Sequence, residues 1–369
     1  ADAVPDKIKV GVLFGGQSAE HEVSVRSAQS VFEAIDRRKY EVTMIGIDRA
    51  GQWLVVEDVA KVITVEPADH VDLPRVFLDY HGRGELTLQD SSGYKSIGRL
   101  DVMFPILHGP YGEDGTVQGL LELAGIAYVG SGVLGSAVGM DKDMMKRTFR
   151  AEGLPQVQYI SVLRSHWRSS PHKIQQEIEA TLSYPLFIKP ANMGSSVGVS
   201  KVHNKIEFSA AMDEASRYDR KIVVEACVSN CREVECSVLG YEEPEVSAIG
   251  EVVPSNEFYD YNAKYIDDNS ELIIPADLNP KTASCVRDIA KRVFLAVDAS
   301  GLARVDFFIA DDEETVMVNE INTLPGFTEI SMYPKLWESS GVSYSELIDR
   351  LIQLAMERHK DRLESTTKR

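Results

Sequence analysis

Arg304, Asp306, Glu320 and Asn322 are residue types that hold a metal-bound phosphate, and their spacing lets two neighbouring strands present them together. Side chains alternate along a strand with period two. Arg304 and Asp306 therefore share one face of a predicted strand over Leu302 to Ala310, and Glu320 and Asn322 share one face of Thr315 to Asn322. A tight loop over Asp312 to Glu314 sets Asp306 opposite Glu320, giving two carboxylates and an amide oxygen beside an arginine. Magnesium prefers such hard oxygen donors and completes its octahedron with phosphate and water. The alternative is the solvated polar face of a hairpin, on which two opposed carboxylates would repel unless a cation lay between them.

Two lysines extend the pattern. Lys189 ends the strand Pro185 to Lys189, where the bland reading is a solvated terminus. Lys142 falls with Val138, Met145 and Phe149 at helical spacing on an apolar stripe, from which it snorkels to the surface or reaches an anion. Between them Gly194-Ser195-Ser196-Val197-Gly198 matches the nucleophile elbow of hydrolases, but the chain continues as a strand, Val197 to Val202, where an elbow needs a helix. Strand, glycine-rich turn and strand describe a flap whose successive N–H groups can wrap phosphate. Gly130-Ser131-Gly132-Val133-Leu134-Gly135 matches a dinucleotide fingerprint, yet the next strand ends without an acidic residue for a ribose. Three cysteines, Cys227, Cys231 and Cys236, are too loosely spaced for zinc and read as buried reduced thiols.

The elements that position these groups divide the chain. A βαβ unit opens it, with strands Lys7 to Phe14 and Val42 to Ile47 around a helix from Ala19 to Ile35. A helix runs from the turn at Gly135 to about Gly153, and short strands follow. A polar loop spans Ser255 to Glu271, and helices are expected over Lys281 to Ala299 and from Ser343. Residues 59–98 carry no readable motif. The expected fold class is α/β, α+β in its later part, with domains at 1–130, 131–228 and 229–369.

The 369 residues carry 39 Lys and Arg against 57 Asp and Glu, a net charge of −18 that argues against nucleic acid and anionic membranes as partners. No apolar run is long enough to span a bilayer, and the polar start lacks the apolar core of a secretory signal, so the cytoplasm is the expected compartment.

With these features in place, the chain resembles the ATP-grasp superfamily and, within it, the D-alanine:D-alanine ligases. The matching stretches are Leu13 to Ser24, Leu107 to Gly115, Met140-Asp141-Lys142, Lys189-Pro190 with Gly194 to Gly198, Tyr259 to Tyr265, Ala303 to Asp306 and Asn319 to Gly326, in the family's order. The resemblance implies an ATP-grasp fold and ATP-dependent joining of two D-alanines through an acyl phosphate, supplying a peptidoglycan precursor. Another carboxylate-amine ligase of this fold, or a D-alanyl-D-lactate ligase, is the alternative.

It also implies roles for residues. Lys142, Lys189, Ser196 and Lys264 would bind ATP, with Glu225, Ala226 and Val228 as the adenine hinge and Glu233 on the ribose. Asp306, Glu320 and Asn322 would hold two Mg²⁺, with Mn²⁺ as a substitute. Glu20 would bind the first substrate's ammonium, His108 and Ser331 would serve the second subsite, and Lys264 would assist Ser331. Arg304 and the Gly326 N–H would form an oxyanion hole. Glu20, Ser195 and Tyr265 would form a triad linking three domains, and tyrosine at 265 goes with dipeptide rather than ester formation. A homodimer is the family expectation.

Overall fold

The structure, a computed structural model, describes residues 6–57, 73–81, 83–254 and 270–365. The first sheet is built from β1 (Ile8–Gly15), β2 (Tyr40–Ile47), β3 (Trp53–Val55), β4 (Arg75–Leu78), β5 (Glu85–Asp90), β6 (Gly93–Arg99), β7 (Val102–Ile106) and β8 (Ala127–Tyr128), with α1 (His21–Ala34) and α2 (Thr116–Leu123) between them. Its order is β6-β5-β4-β3-β2-β1-β7-β8. The half holding β2, β1, β7 and β8 is parallel, with Val10 opposite both Val42 and Val102. Central β1 is buried on both faces, which its near-continuous apolar run requires. β3 to β6 are antiparallel, and three of them fall within the stretch that carried no motif.

Next come α3 (Val133–Met140), α4 (Lys142–Ala151), β9 (Tyr159–Leu163), α5 (Arg164–Ser169), α6 (Pro171–Glu179), β10 (Leu186–Pro190), β11 (Ser200–Val202), α7 (Phe208–Tyr218) and β12 (Lys221–Ala226). Their strands form an antiparallel sheet of order β11-β10-β12-β9. The third sheet, β15-β14-β13-β16-β17, uses β13 (Arg232–Gly240), β14 (Glu245–Val253), β15 (Glu271–Ile273), β16 (Gly301–Ile309) and β17 (Val316–Asn322). Helices α8 (Pro280–Ala296), α9 (Met332–Ser339) and α10 (Tyr344–Glu364) complete the chain. Among the described residues no helix is long and apolar enough to cross a membrane.

The cores run across sequence. Met145, Phe149 and Leu154 pack with Val234, Val305 and Phe307 of the third sheet. Leu347, Leu351 and Ile352 of α10 pack with Val10, Val102 and Phe104 of the first. Thus α4 and α10 tie together segments that are far apart in the chain.

Several expectations need correction. The helix expected from Gly135 to Gly153 is two, because Asp141 is extended (φ −80°, ψ 104°) and caps α4 by accepting from the Asp143 and Met144 N–H groups. Lys142 opens that second helix rather than lying mid-stripe. The strand expected from Val197 begins only at Ser200, since turn bonds occupy the residues before it. Of the three clustered cysteines only Cys236 is buried; Cys227 and Cys231 are half-buried and face a cavity. β14, α7 and α9 had no expectation.

Candidate functional site

Between the second and third sheets, and closed on one side by Glu20 and Glu113 from loops that follow strands of the first, lies a cavity of about 460 Å³. Its lining includes Glu20, Lys142, Lys189, Ser195, Ser196, Glu225, Ala226, Val228, Glu233, Arg304, Asp306, Glu320 and Asn322. These come from the start of α1, the start of α4, β10, the flap, β12 and β13 with the turn between them, and the β16–β17 hairpin.

The flap over residues 192–199 is fastened at both ends. At its base the Asn192 side-chain amide donates to Asp141 (3.1 Å) and Asp219 (3.0 Å), and the Lys142 N–H donates to the Ala191 carbonyl at 3.0 Å. The Lys142 ammonium donates to the Met193 carbonyl at 2.8 Å. Lys221 pairs with Asp141 at 2.7 Å and with Asp143 at 3.3 Å, anchoring the turn that starts α4. At its tip Ser195 Oγ donates to Glu20 Oε1 across 175 residues of sequence. Ser195 and Ser196 both adopt left-handed backbone, φ 51° and 59°, a conformation that side chains other than glycine resist.

Beside the flap, charge is arranged in a ladder. Lys189 on β10 and Glu225 on β12 meet diagonally across the strand pair, with Nζ 2.8 Å from Oε2. Lys146 on α4 approaches the other oxygen, Oε1, at 3.0 Å. Burial alone would raise the Glu225 carboxyl, but the two ammonium groups outweigh it and hold the group down at about 2. Lys146 is fully enclosed, so desolvation pulls it downward. Desolvation lowers Lys189 too, but the Glu225 charge, joined by Glu320 and Glu233, outweighs it and moves the ammonium upward. The Ala226 and Cys227 N–H groups that follow are taken by the Gln158 and Pro185 carbonyls.

On the opposite wall the β16–β17 register sets Asp306 across from Glu320 and Arg304 across from Asn322, with an irregularity just after Asp306. Arg304 forks onto Asp306 through two bonds of 2.8 Å, and its Nε lies 3.1 Å from Glu235. This bidentate pairing fixes the guanidinium's plane. The Asn322 side-chain oxygen accepts from the Leu324 N–H at 3.0 Å. Among the described residues no three His, Cys, Asp or Glu side chains converge to hold an ion unaided. Two carboxylates and an amide oxygen suit magnesium's usual mode, in which a small protein donor set is completed by phosphate and water.

His108, Gly326 and Ser331 do not line this cavity. His108 is buried, its Nδ1 3.1 Å from the Leu324 carbonyl, and burial lowers its proton affinity. That hydrogen bond makes Nδ1 the donor and leaves Nε2 with its lone pair. Ser331 accepts from the Thr328 N–H (3.1 Å) and lies 2.6 Å from Thr328 Oγ1, and Gly326 precedes this turn. Tyr265 and Lys264 lie outside the described residues.

Sequence reading missed Lys146, Glu113 and Glu235. Glu113 lines the cavity near Glu20, and burial followed by that charge raises its carboxyl well above the usual range. Lys146 lies one helical turn after Lys142, which was a usable signal; Glu235 offered only strand alternation. The dinucleotide-like glycines serve packing instead. A Cβ on Gly135 would stand 2.4 Å from the Asp298 carbonyl oxygen, and one on Gly132 would stand 2.8 Å from Arg358 Nη1.

The chain matches the family model described as the D-ala D-ala ligase N-terminus over residues 9–131 and that of the D-ala D-ala ligase C-terminus over residues 148–353. It is 49% identical to the D-alanine–D-alanine ligase of Acetivibrio thermocellus, covering 97% of this chain and 98% of that protein. It is 47% identical to the enzyme of the same name from Natranaerobius thermophilus, covering 98% of each. The solved D-alanine-D-alanine ligase from Coxiella burnetii superposes with a TM-score of 0.83 at 36% identity, covering 97% of this chain and 96% of that one. The VanG D-Ala:D-Ser ligase from Enterococcus faecalis does so with 0.83 at 37%, covering 95% and 100%. The fold is the ATP-grasp fold of these neighbours. By sequence over nearly its whole length and by structure, the chain belongs to the D-alanine–D-alanine ligase family.

Proposed function

We infer that this chain joins two D-alanine molecules at the expense of ATP, yielding D-alanyl-D-alanine, a peptidoglycan precursor, with ADP and phosphate. A free carboxylate is a poor electrophile. Transfer of the γ-phosphoryl group to the first D-alanine's carboxylate creates a mixed anhydride; the second molecule's amine then attacks its carbonyl carbon and phosphate leaves. The observation that carries the reading is the full-length family match together with one cavity that gathers lysines on one wall and an arginine-carboxylate cluster on the other.

In this reading Lys142 and Lys189 bind phosphates while Ser195 and Ser196 hold the flap over them. Since the Glu225 carboxylate is occupied by lysines, adenine recognition falls to backbone groups of the hinge, from Glu225 through Val228, with Glu233 on the ribose. Asp306, Glu320 and Asn322 would hold Mg²⁺, which neutralises phosphate charge when bound. Glu20 would receive the first ammonium. Arg304, poised on Asp306, and Gly326 would stabilise the tetrahedral oxyanion, and His108 and Ser331 would flank the second substrate. Domains at 1–130, 131–228 and 229–369, a homodimer and a cytoplasmic location belong to the same proposal.

The test is phosphate release from ATP and Mg²⁺ with D-alanine, with L-alanine, and with D-alanine plus D-serine or D-lactate. D-alanine-dependent release with dipeptide product is expected, and its absence refutes the ligase reading. Glu320→Gln should abolish release with an unchanged circular-dichroism spectrum; normal turnover by that variant would overturn the metal assignment.

A further inference from the structure

We propose that Lys146 is a positioning residue for nucleotide binding: it remains the counter-ion of Glu225, which frees Lys189 to turn from that carboxylate to a phosphate. The inference rests on the proposed nucleotide role of the cavity. Lys189 and Glu225 form part of the cavity wall, whereas Lys146 stands behind Glu225 and does not line it. Lys146 is 0% exposed and Lys189 only 9%. One buried carboxylate therefore has two buried ammonium partners, at 3.0 and 2.8 Å, of which just one can meet a ligand.

The two contacts are alike in kind and differ in place: each ammonium pairs with one Glu225 oxygen, but Lys146 is enclosed whereas Lys189 reaches the cavity wall. Each ammonium also lies over an aromatic ring, Lys146 with the Tyr159 centroid at 5.5 Å and Lys189 with that of Phe187 at 5.6 Å. With Lys189 alone, drawing that lysine to a phosphate would leave Glu225 buried and unpaired, which is strongly unfavourable. A second cation behind the carboxylate removes that penalty, because Glu225 keeps a partner whichever way Lys189 turns. Conversely, without Lys146 the carboxylate would grip Lys189 and withhold it from phosphate.

The test is a cycle of Lys146→Met, Glu225→Gln and the double variant in the full chain, read as the Kd for ADP with Mg²⁺ and as the separate KM values for ATP and D-alanine. Lys146→Met should weaken ADP binding and raise the ATP KM about tenfold or more, with the D-alanine KM within about twofold of wild type. The double variant should regain most of that loss, since Lys189 then faces only a neutral amide. If Lys146→Met does not fold, Glu225→Gln and the double variant decide the matter. With no carboxylate to balance, removing Lys146 should change the ADP Kd by less than about threefold; a tenfold loss in that background, or simple multiplication of the single losses, overturns the proposal. A wild type that binds ADP without D-alanine-dependent phosphate release would sink the ligase reading alone, leaving the cycle readable in Kd. A wild type that does not bind ADP would overturn both.

Discussion

Replacing Ser195 with alanine removes the bond that ties the flap to Glu20, and its cost can be worked from the structure. Glu20 is 6% exposed, so the hydroxyl donates to a largely buried carboxylate. Such a charge-assisted bond is worth about 1.5–3 kcal/mol. Against it stand two serines at φ 51° and 59°, each costing on the order of 1–2 kcal/mol for left-handed backbone. Clasp and strain are thus of similar size, and the flap is held by a narrow margin. Alanine at 195 keeps the strain and deletes the clasp, which at about 1.4 kcal/mol per tenfold shifts flap opening by roughly 10- to 150-fold. The reporters are the Val197 and Val199 amides, which donate inside the flap to Gly194 (3.1 Å) and Ser196 (3.2 Å) carbonyls. Native-state hydrogen exchange of these amides should accelerate by that factor, with α10 unchanged as control. Ser196→Gly, which relieves strain and retains the clasp, should slow them several-fold. If Ser195→Ala leaves both amides within about twofold of wild type, the balance described here is wrong.

Three further outcomes concern stability. The Glu225 carboxyl is depressed from 4.5 to about 2 in the folded protein, so its contribution is full above the unfolded value and is lost as pH falls from about 4.5 towards 2. At about 1.36 kcal/mol per pH unit it is worth on the order of 3 kcal/mol; urea unfolding between pH 5 and 3 should show this slope in wild type and lack it in Glu225→Gln, and equal slopes would refute the assignment. Gly135→Ala should destabilise by about 1–2 kcal/mol, because the Asp298 carbonyl 2.4 Å from the new Cβ outweighs a helix-propensity gain of about 1. Gly119→Ala on α2, whose Cβ would meet nothing within 4 Å, should stabilise by up to about 1 kcal/mol, and denaturation midpoints moving in the same direction would contradict the packing argument.

Features legible in sequence were those set by short range. The Ser343 cap of α10, which accepts from the Glu346 N–H, follows from residues three apart. The hairpin that opposes Asp306 to Glu320 follows from strand alternation and a loop of a few residues. Where one local signal masked another, reading failed. The apolar spacing across Val138, Lys142, Met145 and Phe149 concealed the Asp141 cap that splits the helix. The alternating residues from Val197 concealed the turn bonds that delay the strand to Ser200.

Alternation and turn chemistry are thus determined by the sequence itself, since they depend on neighbours a few residues away, and with the motifs they place the metal-type donors on one hairpin. The site's charge balance is not determined that way. Whether Glu225 is free for a ligand or held between two lysines depends on how α4, which packs on the third sheet, abuts the second. Whether Ser195 is a nucleophile-like hydroxyl or a latch depends on Glu20 arriving from 175 residues away. Such contacts join elements whose separation in sequence carries no periodic signal, so only the packing of three sheets around one cavity decides them.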